Sequence, residues 1–283
     1  MTLSRLLPLM LASFLLAPLP CAGTAWAQYG PIGPPAPGPL RIVGGGAAGG
    51  CIAGAQNLPP QGDNYQTIHG TISHFYGAPA TLQGIATLAR RARELGLPPL
   101  LIEDISRPRG GPMPGGHVSH QVGLDVDVAL DMRPRGYLNE AERAAIQIAS
   151  VVRPDYRDTN PATWNEGVVR LIWQAATLPG VDRVLVNAAI KKGLCRDVQG
   201  GDRSWLRYVR PWYGHAAHMH ITFLCPPAQP ECVTRPPPPP GDGCDQLQWW
   251  FDQLSAPDKP SGPPKRKPPL PEACRAVFAA PAG

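Results

Sequence analysis

Three stretches of the chain carry hydrophobic residues at helical spacing. Residues 81–95 place leucine, isoleucine and alanine on one face and stop before Gly96, which predicts a helix. A second helix is predicted for residues 139–152, because Asn139 can cap it and acidic residues follow in its first turn. The apolar spacing of residues 164–178 predicts a third helix.

Strands are predicted where apolar and polar residues alternate. In residues 124–130 the apolar side chains share one face and two aspartates share the other. In residues 218–224 two histidines and a threonine lie opposite an apolar face. The short apolar runs at residues 100–102 and 181–186 predict buried strands. Helices and strands interleave without a regular βαβ repeat, which favours an α+β fold.

Residues 41–49 resemble two known motifs and complete neither. The run RIVGG matches the activated N-terminus of trypsin-like proteases, but no GDSGG-type serine segment follows it. Gly44, Gly46 and Gly49 have the spacing of a dinucleotide-binding loop, yet no helix start comes after them. We therefore predict a flexible loop here.

Composition divides the 283 residues into three parts. The chain has 31 Gly and 37 Pro, and 16 of the prolines lie in residues 226–283 against 13 in the much longer stretch 41–225. The middle has the composition of a globular domain, whereas the end is proline-rich. We predict a signal peptide at residues 1–27, a folded domain at 28–225 and a Pro-rich C-terminal extension at 226–283.

The beginning of the chain indicates export. Arg5 precedes an apolar run at residues 6–19, and Ala25-Trp26-Ala27 forms an A-x-A cleavage site. A lipoprotein processed at Cys21 is the alternative, but the residue before that cysteine is a proline rather than a small residue. No later apolar run is long enough to span a membrane, so we expect a soluble, exported protein without a membrane anchor.

Cysteine number agrees with an oxidising compartment. Cleavage would remove Cys21 and leave six cysteines, which predicts three disulfides. Fifteen pairings are possible, and the spacing does not choose among them. A cysteine metal site is the alternative, although the sequence has no C-x2-C pair.

Net charge gives little support for nucleic-acid binding. The formal charge is +5, or +4 without the basic residue of the leader. The densest basic cluster, Lys265-Arg266-Lys267, lies in a Pro-rich stretch typical of a solvated linker. Weak attraction to an anionic wall polymer is the remaining role for such a charge, and salt would screen it.

Five of the seven histidines fall in two clusters. His117 and His120 form the first, and His215, His218 and His220 form the second. Alternation places two histidines of the second cluster side by side on one strand face. The other two, His69 and His74, flank a predicted turn and are expected to be structural.

Two imidazoles and one carboxylate are the usual protein ligands of a catalytic zinc ion, which leaves a position for water. Asp127 lies on the polar face of its strand, seven residues after His120, and supplies such a carboxylate. A further histidine on the same face can act as general base. Ordinary surface histidines are the alternative. The absence of H-E-x-x-H excludes a thermolysin-type site.

These motifs resemble the penicillin-insensitive murein endopeptidases. The resemblance is carried by GGHVSHQVGLDVD at residues 115–127 and VRPWYGHAAHMH at 209–220. It extends to GCIAGAQ at 50–56, VNAAIK at 186–191 and PGDGC at 240–244. It implies a zinc peptidase with a small central antiparallel sheet that bears the metal, flanked by helices and extended loops.

The resemblance also assigns roles to residues. His120, Asp127 and His220 match the zinc ligands, His218 the catalytic base, and His215 a second active-site histidine. The implied disulfides are Cys51–Cys274, Cys195–Cys244 and Cys225–Cys232.

A second, weaker metal site is also associated with the family. His117 and Asp155 match two of its positions. The third position holds Asp158 where the family pattern has histidine, and this difference places the second ion in doubt.

The implied activity is zinc-dependent hydrolysis of the D-alanyl to meso-diaminopimelyl cross-link of peptidoglycan in the periplasm, insensitive to penicillin. Three alternatives remain open at this point. They are a zinc D,D-carboxypeptidase, an L,D-endopeptidase acting on stem peptides, and a cell-wall-binding module without catalysis.

Overall fold

The structure is a computed structural model, which describes residues 33–45, 48–69, 74–113, 118–255 and 270–281. The predicted signal peptide lies outside these residues. The strands are β1 (Arg41–Gly45), β2 (Ala48–Ala53), β3 (Gln56–Asn57), β4 (Gln61–Gly62), β5 (Tyr65–Thr67), β6 (Tyr76–Gly77), β7 (Leu100–Ile102), β8 (Asp125–Ala129), β9 (Val181–Val186), β10 (Val209–Pro211) and β11 (His218–Phe223). The helices are α1 (Pro79–Glu94), α2 (Glu140–Ala145), α3 (Glu166–Ala176), α4 (Ala188–Asp197), α5 (Gln248–Ser255) and α6 (Cys274–Ala279), with 3-10 turns at Ser204–Tyr208 and Cys244–Gln246.

Seven of the described strands form one sheet in the order β10-β9-β11-β8-β7-β5-β4. Its central strands β9, β11, β8 and β7 are antiparallel, while β10 joins β9 and β5 joins β7 in parallel. The predicted α+β class and the antiparallel centre are confirmed. Each parallel pair has a helix in the connection between its two strands. Helix α1 lies between β5 and β7, and helix α4 lies between β9 and β10.

One face of the sheet is covered by helices α1 and α3. The inward residues of β8 and β11, among them Val126 and Ile221, pack in the same cluster as Leu88 of α1 and Ile172 of α3. Helix α1 lies so close that a Cβ at Gly84 would stand 2.4 Å from the Phe223 ring. This apolar packing fixes both strands from one side and leaves their polar face for chemistry.

The helix predicted for residues 139–152 is shorter than expected. Asn139 caps it by accepting from the backbone N of Glu142 at 3.0 Å, but the helix ends at Ala145. The following residues are held in other contacts, since Ile146 packs beside the sheet and Val151 N donates to Ala216 O at 2.9 Å. These long-range contacts outweigh the local helical propensity.

The prediction of a flexible loop at residues 41–49 was wrong. Strands β1 and β2 pair there as an antiparallel hairpin. Glycines interrupt the alternation of apolar and polar residues that predicts a strand. They also permit close packing here, because a Cβ at Gly50 would lie 2.4 Å from both Val122 Cγ1 and Val43 O. Glycine in a strand can mark such an approach rather than a loop.

The three implied disulfides are present. Cys51–Cys274, Cys195–Cys244 and Cys225–Cys232 span sequence separations of 223, 49 and 7 residues. They attach parts of the Pro-rich segment to the rest of the protein. Within the described ranges, no helix combines the length and hydrophobicity needed to cross a bilayer.

Candidate metal centre and active site

Two histidines and an aspartate meet on the polar face of the sheet. One ligand atom from each of His120, Asp127 and His220, here called the metal triad, lies within 4.8 Å of the other two, and all three residues are buried. His220 Nδ1 is 2.9 Å from Asp127 Oδ1, and His120 Nε2 is 3.2 Å from Asp127 Oδ2. Two imidazoles and a carboxylate suit a divalent transition metal.

Strand register positions two members of the triad. Across the antiparallel β11–β8 pair, His220 stands opposite Asp127 and Thr222 stands opposite Asp125. Opposed residues project to the same side of a sheet. His120 comes from the loop before β8, and its backbone has a φ of 62°, which is uncommon for a residue with a side chain. Its backbone N donates to Asp125 Oδ2 at 3.1 Å, which holds this conformation.

Both triad histidines use their other ring nitrogen in a hydrogen bond. His220 Nε2 donates to Asp125 Oδ1 at 3.0 Å, and the same oxygen accepts from Thr222 Oγ1 at 2.8 Å. His120 Nδ1 donates to Ile105 O at 2.8 Å. Acceptors of this kind fix the tautomer and orientation of metal-binding histidines. The remaining nitrogen of each ring faces Asp127 within the triad.

The charges within this buried cluster are tightly coupled. Burial alone would lower the pKa of His220, but hydrogen bonds to Asp125 and Asp127 outweigh it and raise that pKa to about 10. Burial alone would raise the pKa of Asp127, but the two triad histidines hold it well below its usual range. The cluster therefore keeps a carboxylate ionised in a site closed to solvent, where a cation is favoured.

His218 lies next to the triad on β11. Its Nε2 is 3.7 Å from Asp127 Oδ2, and its Nδ1 is 3.4 Å from Glu103 Oε2. Burial lowers the pKa of His218. Burial, with the negative charges of Asp127 and Asp104, raises the pKa of Glu103 to about 8. Glu103 therefore carries a proton near pH 7 and faces the neutral imidazole of His218.

His215 completes the group of rings. Its centroid is 5.1 Å from that of His218 and 5.8 Å from that of His220. Its backbone has a φ of 51°, and its Nδ1 donates to Tyr213 O at 2.6 Å. Burial lowers the pKa of His215 to about 4, so the ring is neutral near pH 7.

The chain is similar to known proteins over most of its length. A family model described as penicillin-insensitive murein endopeptidase matches residues 43–279. The chain belongs to this family. Proteins called penicillin-insensitive murein endopeptidase from Salmonella arizonae, Salmonella newport and Salmonella heidelberg are each 42% identical over 261 residues, which is 91% of this chain and 92% of theirs.

Membership of the murein endopeptidase family confirms the resemblance inferred from the motifs. The structure brings together five of the residues predicted for the site: His120, Asp127, His215, His218 and His220. It also gives His69 and His74, the histidines outside the two clusters, structural contacts, since His74 Nδ1 lies 2.9 Å from Asp104 Oδ1 and His69 Nε2 lies 3.0 Å from Ile146 O.

The second metal site stays a prediction. His117 lies outside the described residues. Asp155 is half exposed, pairs with Arg153 at 3.0 Å and accepts from the Arg157 backbone N at 3.1 Å. Asp158 binds two basic side chains, Lys192 and Arg196, each at 2.8 Å. Among the described residues, the triad is the one group close enough to hold an ion.

Sequence reasoning missed three polar residues of the site. Asp125 and Thr222 were placed on the correct strand faces, and the alternation that selected Asp127 and His220 also contained their signal. Glu103 gave no such signal, because it follows a strand of only three residues. Glu103 comes close to the site because β7, which ends one residue before it, pairs with β8.

Proposed function

We propose that this murein endopeptidase is zinc-dependent and hydrolyses the D-alanyl to meso-diaminopimelyl cross-link between stem peptides. The observation that carries the proposal is the metal triad with His218 beside it. A structural zinc site has four protein ligands, whereas the triad has three. A catalytic role is therefore favoured over a wall-binding module.

The donor set fits zinc. Both imidazoles are oriented by acceptors on their far side, and the carboxylate is ionised inside a buried cluster. His120, Asp127 and His220 would hold the ion. When bound, zinc supplies a Lewis acid that polarises an amide carbonyl and makes water acidic near neutral pH.

His218 is proposed as the general base. Its Nε2 would accept the proton that the attacking water loses, and the same imidazole would return it to the departing amine. Glu103, 3.4 Å from Nδ1, would keep the ring in the tautomer that leaves Nε2 free. A cation at the triad would oppose the charge of Asp127, so metal binding would also favour the ionised form of Glu103.

His215 is proposed to contact the peptide at the reacting amide. Its hydrogen bond to the Tyr213 carbonyl fixes the ring and leaves Nε2 directed away from its own backbone. Near neutral pH this nitrogen is unprotonated and would accept a hydrogen bond from an N–H group of the bound peptide.

This chemistry explains insensitivity to penicillin. Water is the proposed nucleophile, so turnover passes through no acyl-enzyme on a serine. A β-lactam inactivates by acylating such a hydroxyl, and the proposed reaction depends on none.

We further propose that the protein works in the periplasm after cleavage behind Ala27. The leader pattern of residues 1–27 and the murein substrate named for its relatives support this location. Processing would leave the proposed catalytic domain at 28–225 and the extension at 226–283. His117 and Asp155 are kept as proposed ligands of a weaker second ion.

Digestion of purified disaccharide-peptide dimers tests the proposal, with metal content measured on the same preparation. We expect about one zinc per chain, monomers as the products identified by mass, and no inhibition by penicillin. Two ions per chain would support the second site. Turnover that survives exhaustive chelation would remove the metal from the mechanism.

The choice of substrate separates the alternatives. Release of D-alanine from monomeric pentapeptides alone would indicate a carboxypeptidase. Cleavage restricted to cross-links between two diaminopimelyl residues would indicate L,D-specificity. Binding to peptidoglycan without any product would indicate a wall-binding module.

A further inference from the structure

Four aromatic side chains form a connected group next to the active site. They are Trp212 and Tyr213, which follow β10, and Trp249 and Trp250 of helix α5. The ring centroids of Tyr213 and Trp250 are 5.1 Å apart, and those of Trp249 and Trp250 are 5.0 Å apart. Trp212 lies 6.2 Å from Trp250. We call this group the aromatic surface.

The aromatic surface is open to solvent. Trp212, Tyr213 and Trp249 have exposed fractions of 51%, 55% and 53%. Large aromatic residues are normally buried, and a contiguous exposed group of them marks an interaction site. Three of the four contacts between these rings are edge-to-face, an arrangement that leaves ring faces uncovered.

Backbone and covalent contacts hold the aromatic surface in place. Trp212 N donates to Val186 O at 2.8 Å, which fixes the segment against β9. Helix α5 follows Cys244, which is joined to Cys195 of α4. Arg210 Nη2 donates to Gln246 Oε1 at 3.4 Å and connects the two segments. A surface fixed in this way loses little entropy when it binds.

The aromatic surface adjoins the proposed active site through Tyr213. The backbone carbonyl of Tyr213 accepts from His215 Nδ1 at 2.6 Å, so this residue of the surface is hydrogen-bonded to a residue proposed for the active site. A sugar covalently attached to a peptide in the site would lie on the side of the site where these rings begin.

The chemistry of the surface selects among parts of the substrate. Its four side chains are uncharged, broad and apolar, with polar groups such as Arg210 and Gln246 at the side. Stem peptides offer small alanine methyl groups and charged carboxylates, which such rings match poorly. A pyranose ring has an apolar C–H face with hydroxyl groups around its edge, and it matches an aromatic face with polar neighbours.

We infer that the aromatic surface binds the glycan strand of peptidoglycan, stacking on the sugar that carries the stem peptide under attack. The inference rests on the proposed function for its choice of polymer. Sugar binding would then position the strand, while the metal triad and His218 act on the peptide.

Variants of the mature full-length protein test this inference through binding without turnover. Peptide-free glycan strands, released from peptidoglycan by an amidase, contain no cleavable bond. We expect the parent protein to bind them and Trp249→Ala to bind about tenfold more weakly, as for loss of a central tryptophan contact. Trp173→Ala is the matched control, because Trp173 is a 42% exposed tryptophan on α3 that is not one of the four residues of the aromatic surface. It should bind as the parent does.

Activity provides a second readout. The ratio of activity on disaccharide-peptide dimers to activity on the same dimers without sugar should fall about tenfold in Trp249→Ala and stay constant in Trp173→Ala.

Three results would overturn the inference. The first is that the parent protein does not bind glycan strands. The second is that Trp249→Ala loses activity equally on substrate dimers with and without sugar. The third is that Trp249→Ala changes the protein from two associated copies to one while glycan binding stays intact. The last result would identify the surface as an interface between two copies. Failure of the proposed function is separately visible, because glycan binding would then persist without any hydrolysis.

Discussion

At the centre of the sheet, β8 and β11 are fixed by a large apolar cluster on one side and carry the charged triad on the other. The β1–β2 hairpin and helix α6 share a cluster of only six buried residues, together with the Cys51–Cys274 bond. Packing is strong enough at the centre to hold ionised groups away from water. Near the chain ends, a covalent bond substitutes for packing. We therefore expect substitutions at the centre to affect catalysis and substitutions near the ends to affect stability.

The largest effect is expected for His220→Ala, which removes a metal ligand. We predict loss of stoichiometric zinc and a fall in turnover of about 10⁴-fold, or roughly 5.4 kcal/mol. Metal analysis and dimer hydrolysis measure both. The packed face of β11 should keep the variant folded by circular dichroism, and a variant that kept zinc and rate would contradict the ligand assignment.

His218→Ala should have the next largest effect. It removes the proposed base and leaves the triad intact, so we predict retained zinc with a fall in kcat of about 10³-fold, or roughly 4 kcal/mol. Hydrolysis of dimers at the parent rate would show that the base assignment is wrong.

Removal of the Cys51–Cys274 bond tests the other side of the comparison. The double variant Cys51→Ser, Cys274→Ser should lose about 3 kcal/mol of unfolding free energy, because the bond closes a long loop. Denaturant unfolding measures the change. Loss of the Cys225–Cys232 bond, which spans 7 residues, should cost less. An equal cost for the two bonds would argue against the loop-length explanation.

Asp125→Asn acts at the centre but outside the triad. It weakens the acceptor for His220 Nε2, and we predict a loss of metal affinity of about 30-fold, or roughly 2 kcal/mol. Competition with a chelator measures the affinity. Thr222→Val, which removes only the hydroxyl donor to Asp125, should have a smaller effect. If Thr222→Val lowered metal affinity more than Asp125→Asn, Thr222 rather than Asp125 would be the main partner that orients His220.

The smallest effect is expected for Arg109→Gln near the chain ends. The Arg109 guanidinium donates to the carbonyls of Val277, Phe278 and Ala280 at the end of α6, at 3.0, 3.0 and 2.6 Å. Its loss should cost about 1 kcal/mol of stability, with kcat unchanged. A large fall in kcat would instead connect α6 to the active site.

The same comparison explains what the sequence could predict. Alternation in β11 and β8 follows from one buried face, so it predicted which side His220 and Asp127 share. Glu103 depends on pairing between strands distant in sequence, which no local pattern records.

Two local predictions failed for physical reasons. The glycine-rich residues 41–49 were predicted to form a loop, but glycine is required in this hairpin because neighbouring atoms pack closely, as at Gly50. The end of α2 was misplaced because Ile146 and Val151 take part in long-range contacts. The histidine clusters predicted which side chains lie together, whereas packing decided the boundaries of the helices and strands.

The Cys51–Cys274 bond also determines how the protein responds to force. The Cα atoms of these two cysteines are 5.6 Å apart, so a pull applied between the two ends of the chain passes through one sulfur–sulfur bond. The 222 residues between them, including β8 and β11, lie outside that line of tension. The metal triad is thereby shielded from mechanical load at the chain termini.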